Sequence, residues 1–538
     1  MPTKQDSFYK GTFILTIAGI VVKIIGSLNW IFVSRILGGE GIGLYQMAFP
    51  IYLMALSVSS AGIPVAISII TAERLALGDL LGARRIFRIS LALLTVSGIF
   101  FSLLTYAGAE WLIDWRFIRD SRAYWSIVAL APAIFFVTIL SSYRGYLQGW
   151  QRMTPTAVSQ IVEQIFRVIT MIMFAQMLFP SGLEFAAAGA SLGAFAGAVA
   201  GFIVLVYYNH KLEREIADEI AVQKRSSSGT KGDSCGKIVK RVFLLALPVS
   251  ASSLMLPIVS NLDLMIVPMR LEVAGFTVSE ATEYFGYLTG MAVPLTNLAT
   301  ILTAALAVSL VPAISKSQAL GDKVRIAFRT GAAMRISNII TFPAFVLIFM
   351  LHTEIATLIY NAPLAGPTVG YLATAIVFLG MHQVTTGVLQ GMGHTTIPLI
   401  NMGIAAVAKV TLNWVLTAIP ALGILGATIA TTVDIGLAAV INLYFIHRYV
   451  GYRMSLTELA KTVVSAAVMA IGIYLVYNIM ANITNHMVLM TTVSALAGIA
   501  VYTGALLLFG GICREDVAGI PYFGAQITKL LCRKGVFR

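Results

Sequence analysis

The sequence is poor in charge. Only 11% of its 538 residues are Asp, Glu, Lys or Arg, where a soluble globular chain carries about 25%. In a chain this long the deficit cannot sit in one unusual segment, so an ordinary soluble domain is excluded. Cysteine is scarce too. Cys235, Cys513 and Cys532 are the three present, none at zinc or redox spacing from a partner. All three fall in segments expected in the cytoplasm, where thiols stay reduced. Catalytic signatures are missing as well: there is no phosphate-binding P-loop, HExxH or nucleophile elbow. Neither an ATP-driven pump nor an enzyme is therefore expected, and no cofactor is implied. A cleavable signal peptide is not evident, because the first apolar run is too long and has no convincing cleavage site.

What the sequence has is apolar length. Hydrophobic residues make up 58% of it, and the mean hydropathy is +0.86. Long apolar runs recur from Thr12 to Gly510, each near the ~20 residues that a membrane-crossing helix needs. In lipid every backbone polar group must be satisfied internally, by helices or by a closed barrel. Barrel strands would read as alternating segments of roughly ten residues. These runs are longer and nearly uninterrupted, so the expected fold is an all-α polytopic membrane protein of about fourteen spans.

The expected spans are 11–36, 44–70, 86–107, 124–148, 157–179 and 186–208, then 242–269, 285–314, 327–351, 369–389, 397–419, 424–446, 459–480 and 489–509. Lysine and arginine test the alternation. In or beside alternate connections, 29 fall on one side and five on the other (Arg35, Arg116, Arg119, Arg122 and Arg270). Lys23, Arg167 and Lys409 lie inside spans. The asymmetry places both termini in the cytoplasm. It also accounts for the net charge of +13 without a nucleic-acid partner.

The longest polar stretch, 209–241, divides the chain, and Lys224–Ser234 within it reads as a flexible linker. Landmarks repeat across it. Gln148-Gly149 precedes Pro155 and Arg167; Gln390-Gly391 precedes Pro398 and Lys409, with the basic residue nineteen after the glutamine in both. Pro64-Val-Ala-Ile-Ser is echoed by Pro312-Ala-Ile-Ser, and Gly189-Ala190 by Gly426-Ala427. Their common order indicates a duplication of six spans in parallel orientation. The expected organisation is an N-terminal lobe (1–210), a basic cytoplasmic linker (211–241), a pseudo-symmetric C-terminal lobe (242–450), two further helices (451–510) and a basic cytoplasmic tail (511–538). Ile520, Phe523, Ile527 and Leu531 give that tail helical spacing, which fits either a helix on the membrane surface or a frayed end.

The informative residues are polar ones inside spans. A charge at a helix centre costs about 2.5–3.5 kcal/mol on the insertion scale, so such groups usually face protein or a wet cavity. Thr16, Lys23, Ser27 and Ser34 share one face of the first span. Gln160, Glu163, Gln164 and Arg167 share one face of the fifth, and Lys409, Asn413 and Thr417 one face of the eleventh. Thr296, Thr300 and Thr303 add a stripe in the eighth. Together they imply a polar cavity bearing cations, suited to pyrophosphate or carboxylate. Blander assignments stand beside these. Glu163 and Arg167 are four apart and can simply pair. Asp263 and Asp434 either bind a coupling ion or neutralise Lys23 and Lys409. Arg35, Arg144 and Arg270 lie near span ends, where an isolated arginine snorkels to the interface. His382 and His394 read as satisfied structural groups.

Longer motifs carry a resemblance. They are Ser34-Arg-Ile-Leu-Gly-Gly-Glu-Gly-Ile-Gly-Leu-Tyr-Gln-Met-Ala-Phe-Pro-Ile-Tyr, Ala61-Gly-Ile-Pro-Val-Ala-Ile-Ser, Tyr143-Arg-Gly-Tyr-Leu-Gln-Gly, Met153-Thr-Pro-Thr-Ala-Val-Ser-Gln, Gly387-Val-Leu-Gln-Gly and Asn261-Leu-Asp-Leu-Met-Ile-Val-Pro. Over essentially its whole length the chain resembles the stage V sporulation protein B branch of bacterial polysaccharide transporters. That branch belongs to the multidrug/oligosaccharidyl-lipid/polysaccharide superfamily and is related to MurJ-type lipid II flippases. The resemblance implies two six-helix lobes across a V-shaped cavity, with helices thirteen and fourteen lining a groove for a polyprenyl tail. It implies turnover of lipid-linked precursors to the outer leaflet for wall or spore-cortex peptidoglycan. The family's cationic first helix maps onto Lys23 and its loop arginine onto Arg35.

The expected function is a flippase for polyprenyl-diphosphate-linked sugars that works by alternating access. Lys23, Arg35, Arg167 and Lys409 would contact the head group, and Glu163, Asp263 and Asp434 would serve ion coupling or charge pairing. Na+, H+ or the membrane potential would drive it. Its partners would be the lipid-linked glycan, the bilayer and cell-wall synthesis enzymes. The alternatives are a cation-coupled drug exporter of the same superfamily, a non-transporting scaffold for wall-synthesis enzymes, and a membrane glycosyltransferase or ligase, which the short outer loops disfavour.

Overall fold

The computed structural model describes residues 4–60, 62–226 and 234–511. Cys513, Cys532, the helical spacing expected over 520–531 and most of the 224–234 linker lie outside the described residues. Among those described, the regular structure is helical throughout.

The helices are α1 (Lys4–Ser60), α2 (Ile63–Ala76), α3 (Leu80–Asp114), α4 (Tyr124–Gly149), α5 (Thr154–Leu178), α6 (Leu183–Glu215), α7 (Ala217–Ser226) and α8 (Cys235–Val273). Then come α9 (Val278–Gly286), a π-turn (Tyr287–Ala292), α10 (Val293–Ala299), α11 (Ile301–Ala319), α12 (Lys323–Met350) and α13 (His352–Tyr360). The last are α14 (Gly366–Ala373), α15 (Ala375–Gly391), α16 (Thr396–Leu416), α17 (Ile424–Val450), α18 (Leu456–Ile483) and α19 (Met487–Leu508). Local chemistry sets several ends. Asp79 caps α3 by accepting from the Gly82 N–H at 2.7 Å, and Asp322 caps α12 from Arg325 N–H at 2.9 Å. Ser455 and Glu458 form the Ser-x-x-Glu start of α18, with Ser455 Oγ accepting from the Glu458 N–H at 3.3 Å. Gly451, at φ 71, ends α17.

Among the described residues, twelve helical segments are long and apolar enough to cross a membrane, or thirteen with the pair Pro363–Ala373 and Ala375–Gly391, bent by 45°, taken as one. The first, Ile17–Ala76, runs 60 residues, far beyond the ~20 of one crossing. Gly38, at φ 66 and ψ −173, breaks it, so this segment is long enough for two crossings and the number is close to the expected fourteen. Several spans are less regular than their hydropathy suggests. The second is interrupted before α2, where Gly62 takes φ 76. The eighth is divided by the π-turn and again at Thr300. Among the described residues, three short helices arise wholly or mostly outside the expected spans: α9, α13, and α7 at the start of the linker.

The chain divides into two compact units, Met1–Met269 with Phe276–Gly286, and Arg270–Gly275 with Tyr287–Arg538. The division falls within α8 rather than in the linker. Ile238, Val242 and Ala246 of α8 share the first unit's core with Ile63 and Ile67 of α2, Ile86 and Leu94 of α3, and Ile216 and Ile220. The second unit's core joins Leu310, Ile326, Met334, Val384, Val388, Ala439 and Ile446.

Candidate functional site

In the first unit α5 and α6 form a tightly packed hairpin. Gly189, Gly193, Gly197 and Gly201 repeat every four residues along α6 and let it lie on the α5 backbone. A Cβ at Gly197 would stand 2.6 Å from the Glu163 carbonyl and 2.9 Å from Arg167 Cβ. This close packing fixes Glu163 and Arg167 level with Gly197 and turns their side chains toward α1 and α4.

There Glu163 takes two arginines. Its Oε2 accepts from Arg144 Nη2 of α4 at 2.9 Å, and its Oε1 from Arg167 Nη2 at 2.9 Å. Arg144 Nε also donates to Ser159 Oγ at 3.1 Å. Arg167 bonds the hydroxyl of Tyr52. Tyr52 ends an aromatic ladder on α1, with Tyr45–Phe49 and Phe49–Tyr52 ring centroids 5.7 and 5.8 Å apart. The three charged side chains keep only 14–21% of their surface exposed. The cluster holds two guanidiniums against one carboxylate, one positive charge in excess. Arg167 Nε makes no hydrogen bond among the described residues, so the cluster retains donor capacity.

Two sequence expectations are refined here. The Glu163–Arg167 pair forms, as a purely structural pairing would, but it is part of a larger array. Arg144 is no isolated interfacial arginine: it lies inside α4 and binds a carboxylate nineteen residues away, so snorkelling does not describe it. The sequence missed Tyr45 and Tyr52, although with Phe49 they repeat at helical spacing.

The remaining candidates are spread. Lys23 is exposed on α1 and has no ion-pair partner among the described residues. One turn on, a Cβ at Gly26 would lie 3.2 Å from Gln164 Nε2 of α5, so this stretch of α1 runs beside the polar face of α5. Ser34, expected on the Lys23 face, is buried. Arg35 is exposed just before the Gly38 break, and Asp263 is partly buried on α8.

In the second unit Lys409 is buried to 6% exposure, with Asn413 and Thr417 on the same face at 1% and 0%. The α16–α17 hairpin sets their register. A Cβ at Gly426 would meet Thr417 N at 2.7 Å, and Asn401 Nδ2 donates to Asn442 Oδ1 at 2.8 Å. Lys409 lies eight residues from both Thr417 and Asn401, and Asp434 eight from both Gly426 and Asn442. Lys409 and Asp434 therefore stand level, and each makes an electrostatic or hydrogen-bond contact. Asn442 Nδ2 continues the buried network to Thr386 Oγ1 at 3.2 Å. The threonine stripe of the eighth span is different. Thr296 and Thr300 donate to carbonyls of their own helical run, and Thr303 also donates to Gln383 Oε1 at 2.6 Å. This stripe is consumed by packing. Arg270 lies over the Trp414 ring, 4.7 Å from its centroid. His394 stacks on Tyr449, whereas His382 Nδ1 is buried without a bond among the described residues. No group of three His, Cys, Asp or Glu among the described residues could hold a metal ion.

The family described as "Polysaccharide biosynthesis protein" has a model that matches residues 8–318, more than half of the chain. The chain belongs to that family. A second model, MatE, matches residues 288–415. Stage V sporulation protein B of Bacillus subtilis (strain 168) is 28% identical over 98% of this chain and 100% of that protein. Lipid II flippase MurJ of the same organism is 24% identical over 88% and 89%. Among solved structures, Lipid II flippase MurJ in an inward closed conformation superposes with TM-score 0.69 at 16% identity, covering 92% of this chain and 98% of that one. An inward-facing multidrug resistance MATE transporter gives 0.64 at 17%, covering 80% and 94%. The fold of this family member is thus the all-helical, multi-span fold of the multidrug/oligosaccharidyl-lipid/polysaccharide superfamily. It is a multi-pass membrane protein.

Proposed function

We propose that this protein translocates a polyprenyl-diphosphate-linked sugar or peptidoglycan precursor across the bacterial cytoplasmic membrane, with both termini in the cytoplasm. The observation that carries this is the Arg144–Glu163–Arg167 cluster. Two guanidiniums held partly buried on one carboxylate leave a positive excess and spare N–H donors, which suits a diphosphate. Guanidinium presents its donors in a planar fork that matches phosphate oxygens two at a time. Glu163 holds both forks in fixed orientation, so less side-chain freedom is lost when an anion arrives. Family membership and the similarity to a lipid II flippase point the same way.

In this proposal Arg167 and Arg144 meet the head group, with Lys23, Arg35 and Lys409 as further cationic contacts, and the lipid tail stays in the bilayer. No bond of the substrate is made or broken. Alternating access moves the head group, driven by Na+, H+ or the membrane potential, which supplies ~2.3 kcal/mol per elementary charge per 100 mV. Asp263 and Asp434 are the candidates for a coupling cation. The product would feed cell-wall or spore-cortex synthesis enzymes on the far side. The rival is a cation-coupled drug exporter, favoured by the MatE match over 288–415. Binding separates the two. Purified protein should bind an undecaprenyl-diphosphate sugar, lose at least tenfold in affinity in Arg167→Gln, and ignore ethidium. Tight ethidium binding without lipid binding would establish the exporter instead.

A further inference from the structure

A second basic site lies apart from the cluster above, at the lysine- and arginine-rich end of the first unit. The last turn of α2, the first turns of α3 and the first turns of α8 enclose a cavity of about 210 Å³ lined by Ile70, Arg74, Ile86, Lys237, Ile238 and Arg241. Its chemistry is divided. The three isoleucines are buried and belong to the unit's core. The other three residues are cations. Arg74 pairs with Asp79 at 3.1 Å and Arg241 with Glu73. Lys237 is exposed and has no carboxylate partner among the described residues. Arg84, Arg85 and Arg88 lie on the adjoining turns of α3, and Arg84 pairs with Glu213 at 2.5 Å. The surroundings therefore keep an excess of positive charge.

We infer that this cavity is a binding site for the phosphodiester head group of an anionic phospholipid in the leaflet at this end of the helices. Three features select that occupant. Basic pockets between membrane helices bind anionic lipid head groups, because the phosphate meets several cations where water is partly excluded. The isoleucine floor suits a molecule with an apolar part joined directly to its phosphate, whereas a free inorganic anion would gain nothing from it. The cavity lies at the ends of the expected spans 44–70, 86–107 and 242–269, and span ends meet the layer of lipid phosphate and glycerol. A bound lipid joins α8 to α2 and α3 and stabilises the unit through linkage. The inference rests on the membrane assignment alone and stands apart from the transported substrate.

The test is native mass spectrometry of the purified full chain with added lipids, alongside thermal melting without them. Wild type should retain cardiolipin or phosphatidylglycerol and not phosphatidylcholine. Lys237→Gln should lower anionic lipid affinity several-fold, and Lys237→Gln/Arg241→Gln at least tenfold. Lys237→Arg should preserve it, as should Lys211→Gln, a basic change outside the cavity. If the double variant melts at the wild-type temperature and still binds like wild type, the site is not there. Equal retention of phosphatidylcholine would also overturn the inference, as would full displacement by millimolar glycerol phosphate, which would make a soluble anion the occupant. Should the double variant fail to fold, the contrast between Lys237→Gln and Lys237→Arg decides alone.

Discussion

Lys409 of α16 and Asp434 of α17 stand level across their hairpin, midway between the Asn401–Asn442 bond and the Thr417–Gly426 contact. The corresponding position of the first unit is filled differently. There Arg167 of α5 is level with Gly197 of α6, and its carboxylate comes from one turn back on its own helix. Breaking a buried charge pair by removing one partner typically costs about 3–5 kcal/mol, while replacing both can be near neutral. Lys409→Met and Asp434→Asn should each lower the melting temperature in detergent, and the double variant should recover most of the loss. Additive losses would mean that the two charges do not compensate each other.

Glu163 holds two arginines, so its removal strands both. Glu163→Gln should be more damaging to stability than Arg144→Gln, by about 1–3 kcal/mol, the size of an unsatisfied buried polar or charged group. Arg144→Gln/Glu163→Gln, which leaves one arginine instead of two, should be more stable than Glu163→Gln. Chemical or thermal unfolding of the three variants checks the order.

Gly197 is where α6 approaches Arg167. Gly197→Ala places a methyl 2.6 Å from a backbone carbonyl, and overpacking of this kind costs about 1–3 kcal/mol. It should also weaken head-group binding by displacing Arg167. Gly19→Ala is the contrast, since nothing lies within 4 Å of its added Cβ. That change should be neutral or stabilise by about 0.5–1 kcal/mol through helix propensity. Equal effects at the two sites would show that the hairpin contact is unimportant.

Gln223 of α7 clamps the start of the linker to the α2–α3 turn. Its Nε2 donates to the Gly78 carbonyl at 2.8 Å, and its Oε1 accepts from the Leu81 N–H at 3.1 Å. Gln223→Ala should remove about 0.5–1.5 kcal/mol per bond from local stability. Hydrogen exchange over 217–226 should rise severalfold while that of α3 beyond its first turns stays unchanged.

The spans were legible because apolar length is a strong signal. The breaks at Gly62 and over Tyr287–Ala292 were not legible. An interruption in lipid or in protein packing needs no polar residue to mark it, so hydropathy passes through it. Glu163 with Arg167 could be read from i,i+4 spacing. Arg144 could not, since its partner lies on the next helix and an arginine near a span end reads first as a snorkelling one. The Lys409–Asp434 register needed Gly426 and Asn442 as fixed points, and only packing supplies them.

Translocation in sealed proteoliposomes decides the main proposal. Purified protein would be given labelled undecaprenyl-diphosphate sugars, under sodium, proton and voltage gradients in turn, with Arg167→Gln, Lys23→Ala and Lys409→Ala beside wild type. We expect protein-dependent appearance of the head group on the far leaflet, reduced at least tenfold in Arg167→Gln and lowered in the lysine variants. Folded wild-type protein that moves no precursor under any gradient, or an Arg167→Gln variant that moves it at the wild-type rate, would contradict a flippase acting through this cationic cluster.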